Sequence, residues 1–304
     1  MPKWFGEALH TGYQQTFEIN RILADEVTPF QRVQILETVA NGRVLVLDDI
    51  VQLSSRDEFT YSEMLAHVPL FELMAMGAPA RRVLIIGGGD GAIAEEVLKH
   101  RTVEEVVLAE IDPRVVALCK EHFGEVHNGA FDDPRFVLRL GDGFETLQRA
   151  DSIGAFDLII ADRPDPVGPA GTLFADPFYE AVARALSPRG IATFQTGVPF
   201  YQPGELADAM PQLQRTFPHA GAFLTVTPSY VGGSMALTFA SMERPLGETT
   251  LRVLERLFDA IRVRTDYYNP EIHKAAFALP PYLRRITNGA RLLPGERPRI
   301  VATS

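Results

Sequence analysis

The sequence predicts an α/β fold: a mostly parallel sheet with helices on both faces, preceded by a small N-terminal β domain. Three observations carry this. Short apolar strands alternate with helical segments from residue 82 to residue 216, a glycine-rich turn closes the first of those strands, and the opening 55 residues alternate apolar with polar positions. The expected division is a β-hairpin domain over residues 1–55 and a catalytic domain over residues 56–304.

In the N-terminal part, Arg32-Val33-Gln34-Ile35-Leu36-Glu37-Thr38-Val39 has a period of two, and Asn41-Gly42 turns it into Arg43-Val44-Leu45-Val46-Leu47-Asp48. From Asp57 the period becomes helical, with Phe59, Leu65, Val68 and Phe71 apolar, until Gly77-Ala78-Pro79 ends it. Strands are then predicted at Arg82 to Ile86, Glu105 to Ala109, Phe136 to Leu140, Asp157 to Ala161 and Ile191 to Gln195. Helices fall near 92–100, 113–123, 143–150, 176–186 and 204–216. Ala222 to Thr227 and Ser234 to Ala240 have no helix between them and read as an antiparallel pair at the sheet edge.

The chain has 304 residues, 46% hydrophobic and 22% charged, without repeats or low-complexity blocks, so a full core is within reach. Thirty-nine acidic against 29 basic residues give a net charge of −10, which disfavours nucleic acid and favours a cationic or neutral ligand. The single cysteine, Cys119, allows no intramolecular disulfide and no cysteine metal site, and reads as a small buried residue on a helix. No apolar run reaches the length of a membrane span, and the opening residues lack a signal peptide's apolar core. A cytoplasmic protein is expected. His67, His122, His127 and His273 show no metal-ligand spacing and are expected on the surface or in packing roles, and Trp4 in the core or an interface.

The strand Val83-Leu84-Ile85-Ile86 runs into Gly87-Gly88-Gly89-Asp90-Gly91-Ala92, a G-x-G-x-x-A nucleotide-binding turn that opens a helix. Twenty residues after Asp90, Glu110 ends the next strand, where a carboxylate can accept both hydrogen bonds of a ribose diol. A carboxylate at Asp90 would repel a pyrophosphate at the helix N-terminus but attract a sulfonium and an ammonium. An adenosyl sulfonium compound is therefore favoured over a dinucleotide, with helix capping as the structural alternative for Asp90. Gly141-Asp142-Gly143 places another acid at the sheet's carboxyl edge, to accept from an adenine amino group or to cap the next helix.

The strand from Phe156 ends in Asp162-Arg163-Pro164-Asp165-Pro166-Val167-Gly168-Pro169, whose three prolines stiffen the backbone carrying two aspartates. An alkylammonium titrates near pH ~10.4, so it must lose a proton before it can attack. One carboxylate can take that proton while the second holds the amine in line. A sulfonium is already an activated leaving group, so no metal and no cofactor is required.

These residues resemble the polyamine aminopropyltransferases, the family that includes the spermidine synthases, along nearly the whole chain. The resemblance is carried in order by Val51-Gln52, Arg56-Asp57-Glu58-Phe59 and Tyr61, the glycine loop, Asp162 to Pro169 with Leu173-Phe174, and Tyr230-Val231-Gly232-Gly233. Tyr267-Tyr268-Asn269-Pro270 and His273 to Pro280 close the series. The resemblance implies a Rossmann-like methyltransferase-type domain behind the small β domain, assembled as a homodimer or homotetramer. It implies transfer of the aminopropyl group of decarboxylated S-adenosylmethionine, a co-substrate, to putrescine, giving spermidine and 5'-methylthioadenosine. It assigns Asp162 as general base and Asp165 as acceptor ligand. The donor would be held by Gln31, Gln52, Gly87, Gly89, Asp90, Glu110, Asp142, Gly143 and Pro169. Tyr61, Asp90, Asp162 and Tyr230 would line the acceptor channel.

Two positions depart from the family pattern. Arg163-Pro164 replaces small polar residues, and Ser62 stands where many bacterial members have His or Gln. Both bear on which amine is accepted, with cadaverine and agmatine as alternatives to putrescine. An S-adenosylmethionine-dependent methyltransferase is the main rival reading, followed by a non-catalytic polyamine sensor and a dehydrogenase.

Overall fold

The computed structural model describes residues 2–10, 12–162, 176–289 and 292. Arg163, Pro164, Asp165, Pro169, Leu173 and Phe174 lie outside the described residues.

Five antiparallel strands form a meander in chain order: β1 (Lys3–His10), β2 (Tyr13–Val27), β3 (Arg32–Thr38), β4 (Arg43–Leu47) and β5 (Ile50–Ser54). The predicted hairpin is β3–β4, in which Gln34 faces Val46 and Leu36 faces Val44. Alternation puts Val33, Ile35, Leu45 and Leu53 on one face, against Val115, Leu118, Cys119 and Phe123 of the following domain. Cys119 is fully buried there, as its sequence context predicts. The side chains of Glu26 and Arg114 pair bidentately at 2.6 and 2.7 Å across the same junction. Trp4 is 57% exposed on β1, outside the core.

Helix α1 (Phe59–Ala75) leads into the larger sheet, and Gly77, at φ +71, follows its end. The rest of the chain runs β6 (Arg82–Gly87), α2 (Ala92–Leu98), β7 (Glu105–Glu110), α3 (Pro113–His122), α4 (Gly124–His127), β8 (Phe136–Leu140), α5 (Gly143–Gln148), β9 (Phe156–Asp162), α6 (Asp176–Ala185), β10 (Leu186–Gln195), α7 (Pro203–Thr216), β11 (His219–Val226), β12 (Ser234–Ser241), α8 (Leu251–Ile261), α9 (Pro270–Ala276) and α10 (Pro281–Thr287). The seven strands lie in the order β11-β12-β10-β9-β6-β7-β8. Strands β10, β9, β6, β7 and β8 are mutually parallel, and β12 runs antiparallel to both β10 and β11.

Two differences from the sequence reading have local causes. Strand β10 begins at Leu186 rather than Ile191, because Ser187-Pro188-Arg189-Gly190 looks like a loop but is carried through a register irregularity beside β9. Helix α5 stops at Gln148, where Arg149 turns to an extended conformation at ψ 146.

The sheet buries both faces. Val83, Ile85, Val106, Leu108, Leu158 and Ile160 pack toward α1 and α2, while Leu84, Ile86, Val107, Ile159 and Ala161 pack toward α5 and α6. Near-continuous apolar strands are what a parallel sheet covered on both sides requires. The C-terminal segment is fastened to α1 by buried acids. Glu63 accepts from the backbone N–H groups of Asp266, Tyr267 and Tyr268 at 2.6 to 2.9 Å, and Glu72 is held by Arg244, Thr249, Gly247 N–H and His273. The strand order reverses between β6 and β9, so their carboxyl ends open a crevice where ligands of open α/β sheets bind.

Candidate active site

Gly87 at the end of β6 stands in register with Asp162 at the end of β9. Gly87 has φ +80, and a Cβ there would collide with the Asp162 carbonyl oxygen, so only glycine lets the two strand ends approach. One residue on, a Cβ at Gly88 would stand 3.3 Å from Asp162 Oδ2, which places that carboxylate directly over the glycine loop. Tyr61, from the first turn of α1, donates its hydroxyl to Asp162 Oδ1 at 2.5 Å. Burial, reinforced by the nearby Asp90 charge, pushes the Asp162 carboxyl up to about 7, against the pull of the Tyr61 hydroxyl. An acid so tuned can accept a proton at neutral pH.

Asp90 sits in the turn between β6 and α2, and its Oδ1 accepts from Ala92 N–H at 2.8 Å. It therefore satisfies the first N–H of α2 from the position before the Gly91 N-cap while it faces the cleft, and burial raises its pKa. Glu110 ends β7, 8% exposed, and accepts from Asp112 N–H at 2.9 Å. Burial pushes it up to about 7. A Cβ on Gly89 would lie 2.8 Å from Glu110 Oε2, so the loop backbone and this carboxylate make one surface. Asp90, Asp162 and Glu110 thus gather three carboxyl groups at the switch point, each raising the proton affinity of a neighbour, with His127 opposing that rise at Asp90.

A narrow cleft adjoins these acids. Gln52, Asp57, Glu58, Tyr61, Ser62, Asp90, Asp162, Thr227, Ser229 and Tyr230 contribute to its walls. Tyr230 donates its hydroxyl to the Gln52 carbonyl at 2.6 Å, and its ring meets Tyr61 edge to face at 6.0 Å. The structure therefore brings together Gln52, Tyr61, Asp90, Asp162 and Tyr230, all singled out by the sequence.

The others stand around that cleft's glycine-loop end or apart from it. Gln31 gives its side-chain amide to Asp112 Oδ2 at 3.1 Å, which places it beside the Glu110 end of β7. Asp142 caps α5 by accepting from Phe144 N–H at 2.7 Å, and Gly143 packs against Ile86, where a Cβ would not fit. Asp165 and Pro169 lie outside the described residues.

Glu58 has a place in the site that the sequence did not disclose. It lines the cleft, accepts from the Ser62 hydroxyl at 2.7 Å, and is pushed by burial up to about 8. The signal was its position one helical turn before Ser62, but its degree of burial depends on α2 packing against α1. Among the histidines, His67 and His273 are fully buried and hydrogen-bonded, to Glu96 and His100 and to Tyr268 respectively.

Comparison with known proteins agrees along the chain. The family model described as the spermine/spermidine synthase domain matches residues 58–249, and that described as the spermidine synthase tetramerisation domain matches residues 3–55. A polyamine aminopropyltransferase of a Ruegeria species is 45% identical over 283 residues, covering 93% of this chain and 98% of the relative. One from Shigella boydii is 42% identical, covering 93% and 96%. Among solved structures, a spermidine synthase in complex with the transition state analogue AdoDATO superimposes with TM-score 0.86 at 33% identity, covering 95% of this chain and 97% of that one. The spermidine synthase of Thermotoga maritima gives 0.85 at 32% identity, covering 95% and 96%.

Proposed function

The chain belongs to the spermine/spermidine synthase family and is an aminopropyltransferase, and we propose that its donor is decarboxylated S-adenosylmethionine and its acceptor putrescine, with spermidine and 5'-methylthioadenosine as products. The observation that carries this reading is the half-buried Asp162 carboxyl, tuned to about 7, held by Tyr61 and facing a cleft beside Asp90. We read the ribose as held by Glu110 and Gln31, and the adenine by Asp142 and Gly143. Gly87 and Gly89 let the donor lie against the loop, and Gln52 and Asp90 hold its aminopropyl end. Tyr61, Tyr230 and Asp165 would guide the acceptor, and Pro169 would border the donor.

In this reading the putrescine ammonium gives a proton to Asp162. The freed nitrogen lone pair attacks the propyl carbon bound to sulfur, a C–N bond forms as the C–S bond breaks, and the bonding pair stays on sulfur as a neutral thioether. Positive charge is lost from sulfur and appears on the new secondary ammonium, so the acidic cluster attracts both reactants and need not stabilise an oxyanion. The donor is a co-substrate, and the reading includes no cofactor or metal.

The family description of residues 3–55 supports a homotetramer or homodimer, and the exposed Trp4 and Ile22 of β1 and β2 suit an interface. A cytoplasmic location belongs to the same proposal; among the described residues no helix is long and apolar enough to cross a membrane. Ser62, smaller than His or Gln, leaves room beside Glu58, which keeps cadaverine and agmatine as alternative acceptors.

Calorimetric binding of the two possible donors tests the reading. The decarboxylated form should bind at least about tenfold tighter, ~1.4 kcal/mol, because the carboxylate of S-adenosylmethionine meets Asp90. Equal affinities would contradict it.

A further inference from the structure

One acid on the cleft wall lacks, among the described residues, a partner for half of its carboxylate. Asp57 is 6% exposed, and its Oδ2 accepts from Ser229 N–H at 2.6 Å. Its Oδ1 is buried and meets no donor, and the Ser229 hydroxyl, in a residue 2% exposed, is likewise without a partner among the described residues. Both residues line the same cleft as Asp162. The other acids on that wall have partners: Asp162 has Tyr61, Asp90 has Ala92 N–H and Glu58 has Ser62.

A buried carboxylate oxygen without a donor is costly, and a cation that arrives with the ligand relieves the cost. The acceptor supplies such a cation. A diamine loses the charge at its reacting end to the base, but its other end stays an ammonium and must be compensated when it leaves water. The local scaffold is preset to receive it. Gln15 Nε2 donates to the Ser229 carbonyl at 2.5 Å, and the turn is closed by Tyr230 N–H to the Thr227 carbonyl and Gly233 N–H to the Tyr230 carbonyl. Tyr61 links the two ends, since its hydroxyl reaches Asp162 and its ring meets Tyr230, the neighbour of Ser229.

We propose that Asp57, together with the Ser229 hydroxyl, is a specificity-determining pair that receives the ammonium at the unreacted end of the acceptor. This rests on the reading that a diamine enters the cleft, and it adds a determinant that makes the enzyme prefer diamines to monoamines.

The test uses Asp57→Asn, which keeps an oxygen for Ser229 N–H, and Ser229→Ala, which keeps the backbone donor. Steady-state kinetics with putrescine are paired with inhibition by n-butylamine, a chain of the same length without the second ammonium. Asp57→Asn should raise the KM for putrescine at least tenfold, leave the affinity for 5'-methylthioadenosine unchanged, and leave the inhibition constant of n-butylamine within about twofold. Ser229→Ala should raise the same KM severalfold. An unchanged putrescine KM, or equal weakening of putrescine and n-butylamine, would overturn the assignment and leave Asp57 as a fastener of the Ser229 turn. If the unsubstituted enzyme makes no aminopropyl product from any diamine, the acceptor reading itself is wrong and the assignment falls with it.

Discussion

The hydroxyl of Tyr61 donates to Asp162 Oδ1 at 2.5 Å, joining the first turn of α1 to the carboxyl end of β9 across 101 residues of sequence. That bond does two things. It fixes the direction in which Asp162 presents its free oxygen, and it opposes the rise in proton affinity caused by burial and Asp90.

Replacing Tyr61→Phe should therefore lower kcat/KM about ten- to a hundredfold, the worth of a hydrogen bond to a charged group. The acidic limb of the pH–rate profile should also move upward from about 7, because the bond that favours the carboxylate is gone. A fall in rate with an unmoved limb would separate Tyr61 from the titration of Asp162.

The same tuning costs stability. Folded Asp162 binds its proton up to about pH 7 whereas an unperturbed one releases it near 3.8, so the folded state is favoured at low pH and loses that advantage as pH rises through this window. Asp162→Asn, which keeps an acceptor for Tyr61, should stabilise the ligand-free protein by roughly 1 to 3 kcal/mol at pH 8, with the gain shrinking toward pH 4. Thermal melts across that range read the effect, and a gain independent of pH would argue against a buried, reluctant charge.

Gly89 offers a test of the donor wall, because its φ is not among the positive ones and only close approach forbids a side chain. In Gly89→Ala the new methyl would meet Glu110 Oε2 at 2.8 Å and push the carboxylate from its place. Affinity for 5'-methylthioadenosine, measured by calorimetry, should fall at least about tenfold, the worth of a hydrogen bond to a charged group. Retained affinity would remove Glu110 from the ribose site.

Glu72 tests the fastening of the C-terminal segment. Its side chain is 1% exposed and gathers Arg244, Thr249, His273 and Gly247 N–H. Glu72→Ala leaves those groups without their acceptor and should cost about 3 kcal/mol or more, seen in denaturant unfolding. A cost under about 1 kcal/mol would mean that the Glu72 network adds little and that the Glu63 bonds and apolar packing hold the segment.

Much of this architecture was legible in the sequence because it rests on local signals. The strands of the parallel sheet read as short apolar runs, and the glycine loop with Glu110 downstream marks the crevice. What was hidden depends on contacts distant in sequence. Gln15 reaches Ser229 across 214 residues, and nothing in the pattern of β2 marks that partner. Asp57 and Glu58 looked like parts of one motif, yet packing buries Asp57 with an orphan oxygen and gives Glu58 a hydroxyl partner. Trp4, expected in a core or an interface, is exposed in the single chain and so stands outside the core.

If this acidic crevice transfers an aminopropyl group to an amine, the products identify the reaction. Incubating the protein with decarboxylated S-adenosylmethionine and, separately, putrescine, cadaverine and agmatine, then weighing the products by mass spectrometry, tests it most directly. Spermidine and 5'-methylthioadenosine are expected in equal amounts from putrescine, with nearly all of that product lost in Asp162→Asn. No aminopropyl adduct with any of the three amines would contradict it.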